Sequence, residues 1–152
     1  MRFEYLFVLI VITDQITKFL AKSYLDLYSS IPVIPNVLYW TYVKNEGAAF
    51  GLFPGMTIVF AISALIVLGG VLWYFKNNDP SPSLAVPLVL ASAGAAGNLI
   101  DRVIYHSVID FIDVKIWPVF NIADMAIVFG SILLLFYLIF PDWMGECEFW
   151  RN

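Results

Sequence analysis

Asp110, in Val108-Ile109-Asp110-Phe111, and Asp124, in Phe120-Asn121-Ile122-Ala123-Asp124, are carboxylates in apolar surroundings with no basic residue beside them. The whole chain is 61% hydrophobic and 13% charged, against roughly a quarter charged in an ordinary soluble domain. An ionisable residue in or beside a bilayer is costly and points to function by default. Two carboxylates held close together cannot both ionise easily, so one keeps a proton. The charged one can then activate water while the protonated one donates to the carbonyl under attack. The chemistry on offer is acid–base hydrolysis in a membrane enzyme.

Five aspartates could supply such a pair: Asp14, Asp101, Asp110, Asp113 and Asp124. Asp14 has Lys18 four residues on, acid first, the favourable order for an ion pair on one helical face. That pair could equally do no more than neutralise itself for insertion. Asn98, Asp101 and Arg102 stand at i, i+3 and i+4, so they share a face, with Asp101 expected to be held ionised by Arg102 in a structural or substrate-orienting role. Asp113 has Lys115 two residues on and is expected to face water. Asp110 and Asp124 remain, joined by a short connection containing Pro118 that can fold back on itself.

Positioning them falls to membrane helices. Mean hydropathy is +0.85. No charged residue occurs from Gly47 to Phe75, from Pro80 to Ile100 or from Met125 to Pro141, and about 20 residues span a hydrocarbon core. The apolar run from Tyr5 to Thr13 resumes beyond Asp14 and Lys18. No small-x-small cleavage site follows it, so it reads as a retained helix rather than a signal peptide. The pattern predicts four transmembrane helices, at 2–24, 57–75, 84–105 and 122–140, in a single membrane domain over 1–152. Lys76 to Ser83 is polar and proline-broken, hence a loop, and the last helix stops at Pro141-Asp142. Val37 to Lys44, rich in β-branched and aromatic residues, reads as a short strand or hairpin at the membrane surface. Its Tyr39, Trp40 and Tyr42 suit headgroup depth.

Up-and-down topology brings the polar clusters to one side: Asp14 with Lys18, Lys44 to Gly51, Gly97 to Arg102, Asp110, and Asn121 with Asp124. The small residues Ala91, Gly94, Ala95 and Gly97 suit close helix packing. Gly47-Ala48-Ala49-Phe50-Gly51 reads as a tight backbone segment near the site. Arg2, Lys76 and Arg151 fall on the opposite side from Lys18, Lys22, Lys44, Arg102 and Lys115. A plain count would put the site in the cytoplasm, but cations belonging to the site do not count, so charge alone leaves sidedness open.

Other chemistries are poorly supplied. His106 is the only histidine and Cys147 the only cysteine, so zinc motifs, thiolate clusters and disulfides are absent and no metal or cofactor is expected. No G-x-S-x-G elbow exists, and Lys22 and Ser23, neighbours on a helix, point different ways. The net charge of −4 without a basic stripe argues against nucleic acid. A proton-coupled transporter or channel subunit would spread its acids through the membrane depth, whereas these collect at one end. A non-enzymatic assembly factor would leave the two unpaired acids unexplained.

The ordered set Asp14-Gln15-Ile16-Thr17-Lys18, Asn45-Glu46-Gly47-Ala48-Ala49-Phe50-Gly51, Gly97-Asn98-Leu99-Ile100-Asp101-Arg102, Val108-Ile109-Asp110-Phe111 and Phe120-Asn121-Ile122-Ala123-Asp124 resembles the bacterial lipoprotein signal peptidase family (signal peptidase II). The resemblance implies an all-α, four-helix inner-membrane aspartic endopeptidase with a small β-strand cradle between helices 1 and 2. Its active site would lie at the periplasmic, or external, face. Its substrates would be prolipoproteins, cut just before a cysteine already carrying diacylglycerol. By motif, Asp110 and Asp124 match the catalytic pair. Asp14, Lys18, Asn45, Gly47, Asn98, Asp101, Arg102 and Asn121 match positions that shape or support the site. The expected partners are the lipidated prolipoprotein and membrane lipids, with the chain acting as a monomer. One departure is the short Asp110–Asp124 connection.

Overall fold

The computed structural model describes residues 3–47 and 55–140. Ala48 to Gly51 of the glycine-flanked segment, the stop at Pro141-Asp142, Arg2, Cys147 and Arg151 lie outside them. The chain runs α1 (Phe3–Tyr24), β1 (Ser30–Ile34), β2 (Leu38–Asn45), α2 (Thr57–Asn77), α3 (Pro82–Tyr105), β3 (Val108–Asp113) and α4 (Ile122–Ile139). Every helix lies within two residues of its expected ends.

Proline and charge set those ends. α2 stops at the polar Lys76-Asn77-Asn78, and Pro82 opens α3 where its missing N–H costs nothing. α3 ends at His106, whose backbone enters the left-handed region (φ 57°) while its N–H donates to the Arg102 carbonyl. Among the described helices, α2, α3 and α4 are long and apolar enough to cross a membrane. α1 is 22 residues long but carries Glu4, Asp14, Lys18 and Lys22. α2 buries only Ala64 and is apolar all round, as a helix facing hydrocarbon must be.

Small residues let the helices approach. A methyl group on Gly94 would strike the Ala123 carbonyl of α4, and one on Gly97 would sit 2.6 Å from Asp14 Oδ2 of α1. Gly130 of α4 meets the Pro87 carbonyl of α3 in the same way, at 2.8 Å. The expected close packing is therefore present, and it brings the Asp14 carboxylate against α3.

The cradle differs from expectation in having a third strand. β1 and β2 form the hairpin, but β3, from the α3–α4 connection, completes an antiparallel sheet of order β1-β2-β3. Its register pairs Asn45 with Val108 and Val43 with Asp110. β3 is thus the scaffold of Asp110. Tyr42 is buried with Leu25 and Ile109 beneath Trp40 rather than lying among headgroups. Asp113, expected to face water, is buried: it pairs with Lys115 Nζ at 2.7 Å, accepts from Thr41 Oγ1 at 3.1 Å, and ties β3 across β2 towards Ser30. Burial alone would raise its pKa, but the bonds from Lys115 and Thr41 outweigh that and hold it below the ordinary value.

Candidate active site

The site is built where α4 begins. Asn121 caps the helix, its side chain accepting from the Asp124 N–H at 2.8 Å, while Asp124 Oδ2 accepts from the Asn121 N–H at 3.3 Å. This reciprocal capping box follows from asparagine and aspartate three residues apart. It leaves the amide nitrogen of Asn121 to donate to Asp110 Oδ1 at 2.7 Å and to Asn98 Oδ1 at 3.2 Å. Asn45, at the end of β2, donates to Asp110 Oδ2 at 3.0 Å and accepts from the Gly47 N–H at 3.0 Å. Asn98, on α3, donates to Asp124 Oδ1 at 2.7 Å. An amide bridge, Asn98 to Asn121, therefore joins the two carboxylates.

Asp110 is 2% exposed. Burial, with the nearby Asp124 charge second, pushes its pKa up to about 7, against the opposing hydrogen bonds from Asn45 and Asn121. Asp124, half-buried, sits in the first turn of α4, where the helix dipole favours negative charge. Both line a cavity of about 540 Å³ that continues between α2, α3 and α4 past Ala64, Val67, Ala95, Ile127 and Val128. Trp117 to Phe120 form its wall on the strand side. Among the described residues no group of three or more histidine, cysteine, aspartate or glutamate side chains could hold a metal ion.

Behind the pair lies a second buried cluster. Lys18 Nζ is 2.8 Å from Asp14 Oδ2, 3.0 Å from Asp101 Oδ2 and 3.0 Å from Asn98 Oδ1. The Asp14–Lys18 pair is as expected, but the partner of Asp101 is Lys18, not Arg102. Adjacent positions on a helix diverge by about 100°, and Arg102 turns away, donating to the Gly47 carbonyl at 3.3 Å and lying over the Phe60 ring. Gln15 was not singled out from the sequence. Its Nε2 reaches Asp14, the Gly97 carbonyl and Asp101, each at 3.1 Å. Its place beside Asp14 in the first motif was the available signal. Lys22 lies over the Tyr105 ring at 4.1 Å, directed there rather than towards a serine.

Residues 6–140 match the model of a family described as Signal peptidase (SPase) II. The chain belongs to the signal peptidase II family. It is 41% identical to the lipoprotein signal peptidase of Halothermothrix orenii over 93% of this chain and 99% of that one. It is 51% identical to that of Syntrophomonas wolfei over 89% and 91%. A solved structure, described as a bacterial membrane enzyme determined by the in meso method at 2.3 Å, superposes with a TM-score of 0.86 at 35% identity, covering 96% of this chain and 92% of that one. Signal peptidase II membership makes the chain a multi-pass membrane peptidase, and the transporter and assembly-factor readings fall.

Proposed function

We propose that this enzyme removes signal peptides from prolipoproteins with Asp110 and Asp124 as its catalytic pair, cutting just before the diacylglyceryl-modified cysteine. One observation carries the assignment: two carboxylates from different elements, bridged by Asn98 and Asn121, share the head of an apolar cavity.

The dyad carries one proton, on Asp110, and one charge, on Asp124. Asp124 takes a proton from a water whose oxygen attacks the scissile carbonyl carbon, while Asp110 gives its proton to the carbonyl oxygen. In the tetrahedral diol that results, Asp124 returns its proton to the amide nitrogen and the carbon–nitrogen bond breaks. Asp110 regains a proton from the diol hydroxyl, and the pair is restored. Arg102, Asn45 and Gly47 border the cavity and orient the substrate backbone.

α1 is the fourth span. Its two mid-helix charges, Asp14 and Lys18, are 0% and 1% exposed and paired to each other, so its outward face shows Val8, Leu9, Ile12, Ile16 and Phe19. At 1.5 Å per residue it reaches roughly 33 Å, enough to cross. The chain then works as a single, monomeric domain in the cytoplasmic membrane, with the site at the end where α1 and α3 finish, the external face.

Lipid on the substrate cysteine should be required. Burying about four methylenes at ~0.8 kcal/mol each already amounts to ~100-fold. We expect kcat/KM for a lipidated prolipoprotein to exceed that of the unlipidated precursor by at least this factor in one detergent. Equal cleavage of the two would refute the substrate assignment.

The pH dependence has a definite sign. The pKa of Asp110 is raised, so the residue keeps its proton until the pH passes about 7. Above that both carboxylates ionise and the rate should fall tenfold per pH unit. At low pH Asp124 takes a proton and the rate falls again. A pH–rate profile still rising at pH 9 would contradict a proton on Asp110.

A further inference from the structure

Each member of the catalytic pair follows a residue whose backbone N–H is held by another buried carboxylate. The N–H of Ile109, just before Asp110, donates to Asp101 Oδ2 at 3.0 Å. The N–H of Ala123, just before Asp124, donates to Asp14 Oδ1 at 2.8 Å. Asp14 and Asp101 are then joined by one ammonium, Lys18 Nζ, at 2.8 Å and 3.0 Å. Its remaining N–H reaches Asn98 Oδ1 at 3.0 Å, so all three of its donors are used. Asp14, Lys18 and Asp101 are at most 1% exposed.

We infer that Lys18 is a positioning residue: by clamping Asp14 to Asp101 it fixes β3 against the first turn of α4, and so sets the separation of Asp110 and Asp124. The amide bridge between Asn98 and Asn121 links the two catalytic side chains, whereas the Lys18 frame links the backbones that carry them. Charge balance alone does not explain the frame. One cation serving two acids leaves net negative charge buried, and apolar replacement of a buried ionic group is often neutral or stabilising. Arg102 lies close enough to feel the Asp101 charge but is bonded to the Asn98 and Gly47 carbonyls rather than to the cluster. What the arrangement supplies is a distance constraint that links α1, α3, β3 and α4.

This inference rests on Asp110 and Asp124 being the catalytic pair, and its test keeps the two apart. Lys18→Met alone strands two buried carboxylates, so the informative variant is the neutral triple Asp14→Asn, Lys18→Met, Asp101→Asn. Each asparagine Oδ1 still accepts its backbone N–H, the ammonium link is gone, and what still reaches both positions is the single amide of Gln15. Misplacing reacting groups by about 1 Å costs ~100-fold. The triple variant should therefore fold, show kcat lower by about that factor, and keep KM within about threefold. Lys18→Arg keeps the charge, but its planar fork replaces three tetrahedrally directed N–H bonds; kcat should fall about tenfold or more. Wild-type kcat in either variant overturns the frame, as does a rise in KM with kcat unchanged. Loss of folded protein in both also overturns it, since the cluster would then serve the bundle itself. An active Asp110→Asn enzyme would instead sink the dyad assignment. Dead dyad variants beside a fully active triple variant would sink the frame alone.

Discussion

Asp110→Asn and Asp124→Asn should each lower turnover of a lipidated prolipoprotein by ~10⁴-fold or more while leaving the protein folded. Groups that act as a unit lose most of their effect when one is removed. Either substitution removes the shared proton, because an amide neither activates water nor releases a proton at neutral pH. Folding is spared for local reasons. Asn at 124 keeps an oxygen for the 2.7 Å bond from Asn98, and gives up only the 3.3 Å bond from the Asn121 N–H. Asn at 110 keeps its oxygen towards Asn121, and the amide of Asn45 can turn to face the new nitrogen at the expense of its bond from the Gly47 N–H. Asparagine at 110 is neutral without the proton that Asp110, its pKa pushed up to about 7, must take up on folding near neutral pH, so the melting temperature should hold or rise. The measurement is turnover per folded molecule beside a melting curve, with Asp101→Asn as the comparison. Asp101 accepts from Lys18, Gln15 and the Ile109 N–H, so its loss should first lower stability, by ~3–5 kcal/mol if the partner charge is stranded. A stable, inactive Asp101→Asn protein beside an active Asp110→Asn protein would show that the pair had been misassigned.

Much of this was legible in the sequence because membranes simplify folding. Long uncharged runs cut by Asp79, Pro80 and Pro82, or by the polar stretch around Asp101 and Arg102, mark helix ends directly. Alternating direction then forces Asp14, Asn98, Asp110 and Asp124 to one end. β3 was not legible. Val108 to Asp113 is six residues interrupted by two aspartates, and its strand character comes from pairing with β2, more than sixty positions away in sequence. Pairings were misread where sequence neighbours were taken as spatial ones. Asp101 was removed from the catalytic candidates on the strength of Arg102, whereas the cation that satisfies it is Lys18, on another helix. Asp101 is paired, as that elimination assumed, though by a residue that sequence proximity could not indicate. Tyr42 shows the same limit: its aromatic type suits an interface, but strand alternation turns it towards Leu25 and Ile109.

Asn121 offers the second large effect, because it performs two jobs that substitution can separate. Its oxygen caps α4 through the Asp124 N–H, and its nitrogen donates to Asp110, Asn98 and the Ile109 carbonyl. It is 0% exposed. Serine is as good a helix cap as asparagine, so Asn121→Ser should keep α4 in place while cutting the amide link between the carboxylates. Asp110 then loses its 2.7 Å donor and Asn98 Oδ1 is left with Lys18, so the side chain that holds Asp124 is less firmly fixed. We expect turnover to fall ~100-fold, the scale set by loss of alignment at reacting groups, with a melting temperature within a few degrees of wild type. Asn121→Asp also preserves the cap but places a third carboxylate, which cannot donate when ionised, against Asp110. Both the repulsion and the lost donor act on the proton that the mechanism needs, so turnover should fall further, ~10³-fold, and recover in part as the pH is lowered and the new acid is protonated. Asn121→Ala removes the cap as well, and about 1 kcal/mol of stability with it. If Asn121→Ser kept turnover within threefold of wild type while Asn121→Ala lost stability, the side chain would be a helix cap alone. The link between the carboxylates would then have to run through Asn98, Lys18 and the backbone instead.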